Sequence, residues 1–149
     1  MRYYLDTEFN GFGGALLSLA LVPEDGDEFY LALACDEPIV PWVAEHVVPY
    51  TDHVPIGLRS ARLDRTAAAA ALAAYLASDP APEIIADWPD DIAYLLQLLT
   101  IAPGQMVPVP QITFRLVPLP GFSTAENSAV PHNALHDARA LREHLLALE

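Results

Sequence analysis

An apolar run, Tyr3-Tyr4-Leu5, ends in two carboxylates set two residues apart, Asp6 and Glu8. In a β-strand, side chains two apart share one face. The pair therefore points one way at the end of a strand whose neighbours, Tyr4, Leu5 and Phe9, are core formers. The nearby cation, Arg2, lies at the strand's other end. Crowded carboxylates without a cation protonate, pair or take up a metal ion, because an isolated buried charge is costly. A fold built on this strand must bring something to its end that compensates two negative charges. Exposed strands also alternate acids, so metal binding and plain surface alternation both stay open at this point.

The rest of the chain supplies the layers around that strand. After the turn Gly11-Phe12-Gly13-Gly14, Ala15 to Val22 is a second apolar run of strand length. The turn Pro23-Glu24-Asp25-Gly26-Asp27 leads to a third, Glu28 to Ala34. Short turns between such runs predict an antiparallel meander. Pro41 to Val48 reads as a short helix with Pro41 in its first turn. Thr66 to Ser78 is alanine-rich, with Leu72, Tyr75 and Leu76 at helical spacing. Glu83 to Ala86 is a short buried strand, and Pro89 to Leu99 a helix with Ile92, Leu95, Leu96 and Leu99 inward. Pro103 to Pro120 is rich in proline and holds one extended run, Gln111 to Val117, before a loop from Gly121 to Pro131. The last helix runs from about Asn133 to Leu148. This order predicts one α/β domain over residues 1–149, with a mixed central sheet, antiparallel in its first three strands and flanked by helices.

Hydrophobic residues make up 53% of the 149, enough for one sizeable core. No segment reaches the roughly 18 uncharged apolar residues of a membrane span. The first residues run into a strand pattern without the shape of a signal peptide. A single cysteine, Cys35, forms no internal disulfide, which fits a reducing, cytoplasmic setting. The net charge of −13 argues against broad nonspecific binding to a phosphate backbone, which needs basic surface. It leaves room for a small acidic site that meets phosphate through metal ions. All seven basic residues are arginine, and Arg59, Arg62 and Arg65 form either a solvated stretch or a small phosphate-contacting patch.

Two further motifs carry chemistry. Asp87-Trp88-Pro89-Asp90-Asp91 leaves the fourth strand and opens a helix. Acids in a helix's first turn are favoured by its dipole and by capping. A strand-to-helix junction also lets one of them reach a neighbouring strand end. His132-Asn133-Ala134-Leu135-His136-Asp137 spans the start of the last helix. Asp137 can project toward the sheet with His132 over the same spot, or His132 can be a helix cap. Zinc held by His132 and His136 is a rival reading, but a third nitrogen or sulfur ligand is lacking nearby in sequence.

Taken in order, Asp6-Thr7-Glu8-Phe9, an Asp at a mid-chain helix start, and His132-x-Ala134-x-x-Asp137 resemble the DEDDh superfamily of 3′-to-5′ exonucleases. Within it they look most like the small bacterial exoribonucleases of the ribonuclease T-like branch. The resemblance spans nearly the whole chain; its first and last motifs are specific as a pair, and the middle one is loose. It implies a ribonuclease H-like fold. It also implies two divalent cations, Mg²⁺ or Mn²⁺, held by Asp6, Glu8, Asp91 and Asp137, with His132 as general base. Asp91 matches the family's middle ligand, while Asp87 stands where the family has Asn, as a substrate-side group or a rival ligand. The family's tyrosine branch is excluded, because its tyrosine position holds Asn133. Family members contact the terminal nucleotide with the residues after the first acids, which points to Phe9 and Asn10; Phe9 either stacks on a base or sits in the core. The implied activity is two-metal hydrolysis of single-stranded RNA from its 3′ end, releasing nucleoside 5′-monophosphates. Alternatives are the same chemistry on DNA and a ribonuclease H-like binding module without catalysis; matches at all five family positions count against the second. Related enzymes are commonly homodimers. The acidic surface implies modest affinity for long nucleic acid and a preference for short 3′ ends.

Overall fold

Residues 3–7 are buried in unbroken succession, the mark of a strand covered on both faces at the middle of a sheet. The computed structural model describes all 149 residues. In chain order its elements are strands β1 (Arg2–Phe9), β2 (Leu16–Pro23) and β3 (Phe29–Ala32), then helices α1 (Pro41–His46) and α2 (Arg65–Leu76). Strand β4 (Glu83–Ala86), helix α3 (Pro89–Leu99) and strands β5 (Thr100–Ala102), β6 (Gln105–Met106) and β7 (Thr113–Leu116) follow. Helices α4 (Thr124–Asn127) and α5 (Ala134–Ala147) close the chain. The main sheet runs β3-β2-β1-β4-β7. β2 runs antiparallel to both of its neighbours, β1 and β3, as the turn pattern predicts, while β4 and β7 continue the sheet in parallel.

Strand parity decides what covers each face. Tyr3, Leu5, Leu19, Leu21, Leu31 and Ile84 pack under α2 and α3, against Leu72, Leu76, Leu95 and Leu98. On the opposite face, α5 lays Ala134, Leu135 and Ala138 over Ala20, Val22 and Ala32. Its next turns set Leu141 against Tyr4 and Ile85. The result is a five-stranded mixed sheet between helical layers. Each fully buried leucine in it contributes about 1.5–3 kcal/mol of transfer free energy. No helix is long and apolar enough to cross a membrane.

Helix starts follow local chemistry. The Asp64 carboxylate caps α2 by accepting from the Ala67 N–H at 2.7 Å. α3 begins with Pro89, whose fixed φ suits a first turn and whose missing N–H costs nothing there.

Several boundaries differ from expectation. α1 ends at His46, and a 3₁₀ turn, Val48–Tyr50, replaces its last turn. β3 stops at Ala32, after which Leu33 makes only an isolated bridge to Leu63. The small hairpin β5–β6 lies where no strand was expected, and one helical turn, α4, lies inside the expected loop. Leu96, expected inward, is 45% exposed. β7 is short because proline lacks the N–H that a ladder needs, and Pro110 and Pro118 flank it.

Candidate metal centre

Parity places Asp6 and Glu8 with Tyr4, on the face that α5 covers, and turns Thr7 to the face of α3. Thr7 is what draws the middle acid in. Asp91, in the first turn of α3, accepts two hydrogen bonds on Oδ1, from the Thr7 N–H at 3.0 Å and the Thr7 hydroxyl at 2.6 Å. Asp91 thus reaches round the end of β1 from the opposite layer. The last acid arrives with α5. The Asn133 side chain caps this helix, accepting from Leu135 N–H at 3.1 Å and His136 N–H at 3.3 Å. Its amide also donates to the Tyr50 carbonyl at 2.8 Å, which pins the start of α5 to the 3₁₀ turn. So placed, Asp137 is 3% exposed and accepts from the His132 backbone N–H at 3.3 Å.

His132 is the one non-glycine residue with positive φ, at 61°. That left-handed conformation costs on the order of 1 kcal/mol or more for a side chain of this kind. It brings the imidazole over the acids: a ring nitrogen of His132 and one oxygen each of Glu8 and Asp137 lie within 4.8 Å of one another. The ring packs edge-on against Trp42, centroids 5.0 Å apart, and Trp42 in turn stacks on His46. Burial, with the nearby His46 charge second, lowers the His132 pKa.

The electrostatics are one-sided. Asp6, Glu8, Asp87, Asp91, Asp137 and His132 line one cleft of ≈ 520 Å³ that includes no arginine. Burial pushes Glu8 up to about 9, Asp91 to about 7 and Asp137 to about 6. Asp6 is pushed well above the carboxylate range, by burial first and then by the charges of Asp91, Glu8 and Asp137. Two buried carboxylate oxygens, Asp6 Oδ2 and Asp137 Oδ1, have no hydrogen-bond partner. Orphaned carboxylate oxygens beside further carboxylates, with one imidazole, fit hard divalent cations such as Mg²⁺ or Mn²⁺, which take oxygen ligands.

The expected residues separate into those the cleft gathers and those it does not. Asp6, Glu8, Asp91, Asp137 and His132 converge, and Asp87 lines the same cleft, half-buried at the end of β4. Burial raises Asp87 as well, but Asp91 acts on Asp6 ahead of it, which favours Asp91 as the middle member of the cluster. Phe9 stacks on Tyr94 with centroids 4.7 Å apart and also lines the cleft. Asn10 is not among the residues the cleft gathers. It is 5% exposed and its side chain is consumed within the fold, donating to Glu37 and to the Pro38 carbonyl and accepting from the Val40 N–H. It anchors the chain leading into α1 and does not line the cleft. The His132–His136 zinc pairing is also absent, because His136 Nε2 lies 2.8 Å from the His53 carbonyl and not in the cluster. The arginine stretch forms no patch at the site: Arg62 pairs with Asp52, and Arg59 and Arg65 donate to the carbonyls of Val54 and Gln97.

Cleft residues that sequence reasoning passed over are Phe12, Trp88 and Phe122, together with Trp42 behind His132. Phe12 sits between glycines with positive φ in the β1–β2 turn and is 86% exposed. A large aromatic flanked by glycines in a turn is the signal that could have found it. In comparison with known proteins, no family model and no curated sequence matches this chain.

Proposed function

We propose that this protein is a metal-dependent 3′-to-5′ exoribonuclease of the DEDDh kind, on a ribonuclease H-like fold. The observation that carries the reading is the convergence of Asp6, Glu8, Asp91 and Asp137, with His132 beside them and no cation among them. An antiparallel trio of strands continued by parallel β4 and β7 supports the fold reading. The single Cys35 suits a reducing, cytoplasmic setting.

The four carboxylates would hold two divalent cations of the Mg²⁺ or Mn²⁺ kind. Bound there, such ions neutralise phosphate charge and stabilise the attacking and leaving oxygens. Thr7 fixes Asp91 through Oδ1 and leaves Oδ2 for an ion. Asp6 Oδ2 and Asp137 Oδ1 are already free of protein partners. His132, over the acids and with its pKa lowered by burial, is the group placed to accept the proton of the attacking water. As water adds to phosphorus, the bond from phosphorus to the 3′-oxygen of the preceding nucleotide breaks, and that oxygen leaves as a hydroxyl with a proton from solvent. The products are a nucleoside 5′-monophosphate and a chain one residue shorter.

Single-stranded RNA incubated with the protein is expected to lose mononucleotides stepwise from its 3′ end when Mg²⁺ or Mn²⁺ is added, and to stay intact in chelator. Turnover that survives full chelation, or products released first from the 5′ end, would overturn the reading. A matched DNA strand cleaved faster than the RNA would reassign the substrate while leaving the chemistry in place.

A further inference from the structure

We propose that Glu8, His132 and Asp137 form a second, nitrogen-containing metal site, which takes one Zn²⁺ ion and holds the centre inactive while occupied. The inactivation rests on the exonuclease reading above; the site itself rests on geometry. A ring nitrogen of His132 and one oxygen each of Glu8 and Asp137 lie within 4.8 Å of one another. Small side-chain shifts close that span on a single ion with ligand bonds of about 2.0–2.2 Å. Asp6 and Asp91 line the same cleft but stand outside this trio. The His132 ring enters no hydrogen bond, while its backbone N–H donates to Asp137 Oδ2 at 3.3 Å. The other oxygen of Asp137, Oδ1, is buried without a partner. One residue thus supplies the imidazole and orients the carboxylate beside it. Metal-binding imidazoles are ordinarily held by a hydrogen bond at their second nitrogen. Here the edge-on ring of Trp42, 5.0 Å away, does the holding.

One imidazole and two carboxylates make an open zinc site, three protein ligands with a fourth position left for water. Imidazole nitrogen suits Zn²⁺ and related transition ions, whereas Mg²⁺ prefers oxygen and keeps several waters. The cleft therefore offers two overlapping sites. Asp6, Glu8, Asp91 and Asp137 offer oxygen alone, to hard cations. The mixed site borrows Glu8 and Asp137 from them and adds His132. Two shared ligands make the two occupancies compete. An ion on His132 also takes the lone pair of the ring nitrogen, which then has none left for a proton from water. Neither other soft donor offers an alternative here: His136 Nε2 lies 2.8 Å from the His53 carbonyl, and Cys35, the one thiol, is outside the cleft.

Zn²⁺ affinity is read by calorimetric titration of the full chain after chelator treatment. His132→Asn, whose side chain tolerates the left-handed backbone at this position, should weaken Zn²⁺ by more than about tenfold, the least that losing even a supporting group costs a metal site. His132→Gly, equally at ease with that backbone, should do the same. Both variants should keep the rise in Tm that Mg²⁺ gives, which also shows that they fold. His136→Asn should leave Zn²⁺ affinity unchanged. Co²⁺, which accepts the same donors, identifies the ligand. Proton NMR of the Co²⁺-loaded protein should show one strongly shifted, exchangeable imidazole N–H signal, which His132→Asn removes. Zn²⁺ affinity untouched by the His132 variants, or no shifted imidazole signal, would overturn the proposal. RNA hydrolysis in Mg²⁺, with and without one equivalent of Zn²⁺, separates the two readings. Nitrogen-bound metal in a protein that never cleaves RNA sinks the exonuclease assignment alone, whereas cleavage in Mg²⁺ with no metal on His132 sinks the second site alone. Cleavage undiminished by Zn²⁺ bound at His132 would overturn the inactivation.

Discussion

Thr7 gives Asp91 two hydrogen bonds on one carboxylate oxygen, while Asp6 Oδ2 and Asp137 Oδ1 have no hydrogen-bond partner. Bonds to a carboxylate favour its charged form, so Thr7 offsets part of what burial does to Asp91. Asp87, four residues earlier, has no such tie to β1 and is half-buried. Asp91→Asn is therefore expected to lower kcat by about 100-fold or more, comparable to losing a principal electrostatic contact. Asp87→Asn should stay within about tenfold, which steady-state kinetics on one RNA would decide. Equal losses would refute the ranking. Asp6 and Glu8 were legible from sequence because period two puts them on one face whatever the strand pairs with. Asn10 was not, because its partners, Glu37, Pro38 and Val40, lie 27 to 30 residues away and no local pattern reports them.

At the scale of elements, α2, α3 and α5 were legible because each repeats its apolar face over several turns, and β1, β2 and β4 because each is a bounded apolar run. The hairpin β5–β6 and the single turn α4 hold too few residues to show a period. The loop between β1 and β2 is a further case. Gly14 lies so near the Asn10 carbonyl oxygen that an added Cβ would sit 2.0 Å from it. Its own carbonyl accepts from the Tyr94 hydroxyl at 2.5 Å, which ties the loop to α3. Gly14→Ala forces that backbone apart and should cost about 1–3 kcal/mol in denaturant unfolding, with Phe12 displaced as a consequence. An unchanged midpoint would show that the loop yields without cost.

For the whole molecule, charge and fold pull against each other. Net charge is legible at a glance, but its concentration at one end of β1 depends on three elements meeting there. Each of the clustered acids has a folded pKa above its unfolded one. Folding then favours the protonated forms. Their contribution is full below about pH 4, and it drains away as pH rises through about 6 for Asp137, about 7 for Asp91 and about 9 for Glu8. In chelator, Tm should fall between about pH 5 and about pH 8, and added Mn²⁺ should restore more of it at the higher pH. A Tm that is flat in chelator, or a Mn²⁺ effect larger at low pH, would sink this account. The bond from Asn133 to the Tyr50 carbonyl has a further consequence. It joins the segment that bears Asp137 and His132 to the segment that follows Trp42. Should that joint yield when either side is occupied, linkage would require a metal ion at the carboxylates and a ligand beside Trp42 to change one another's affinity by an equal factor.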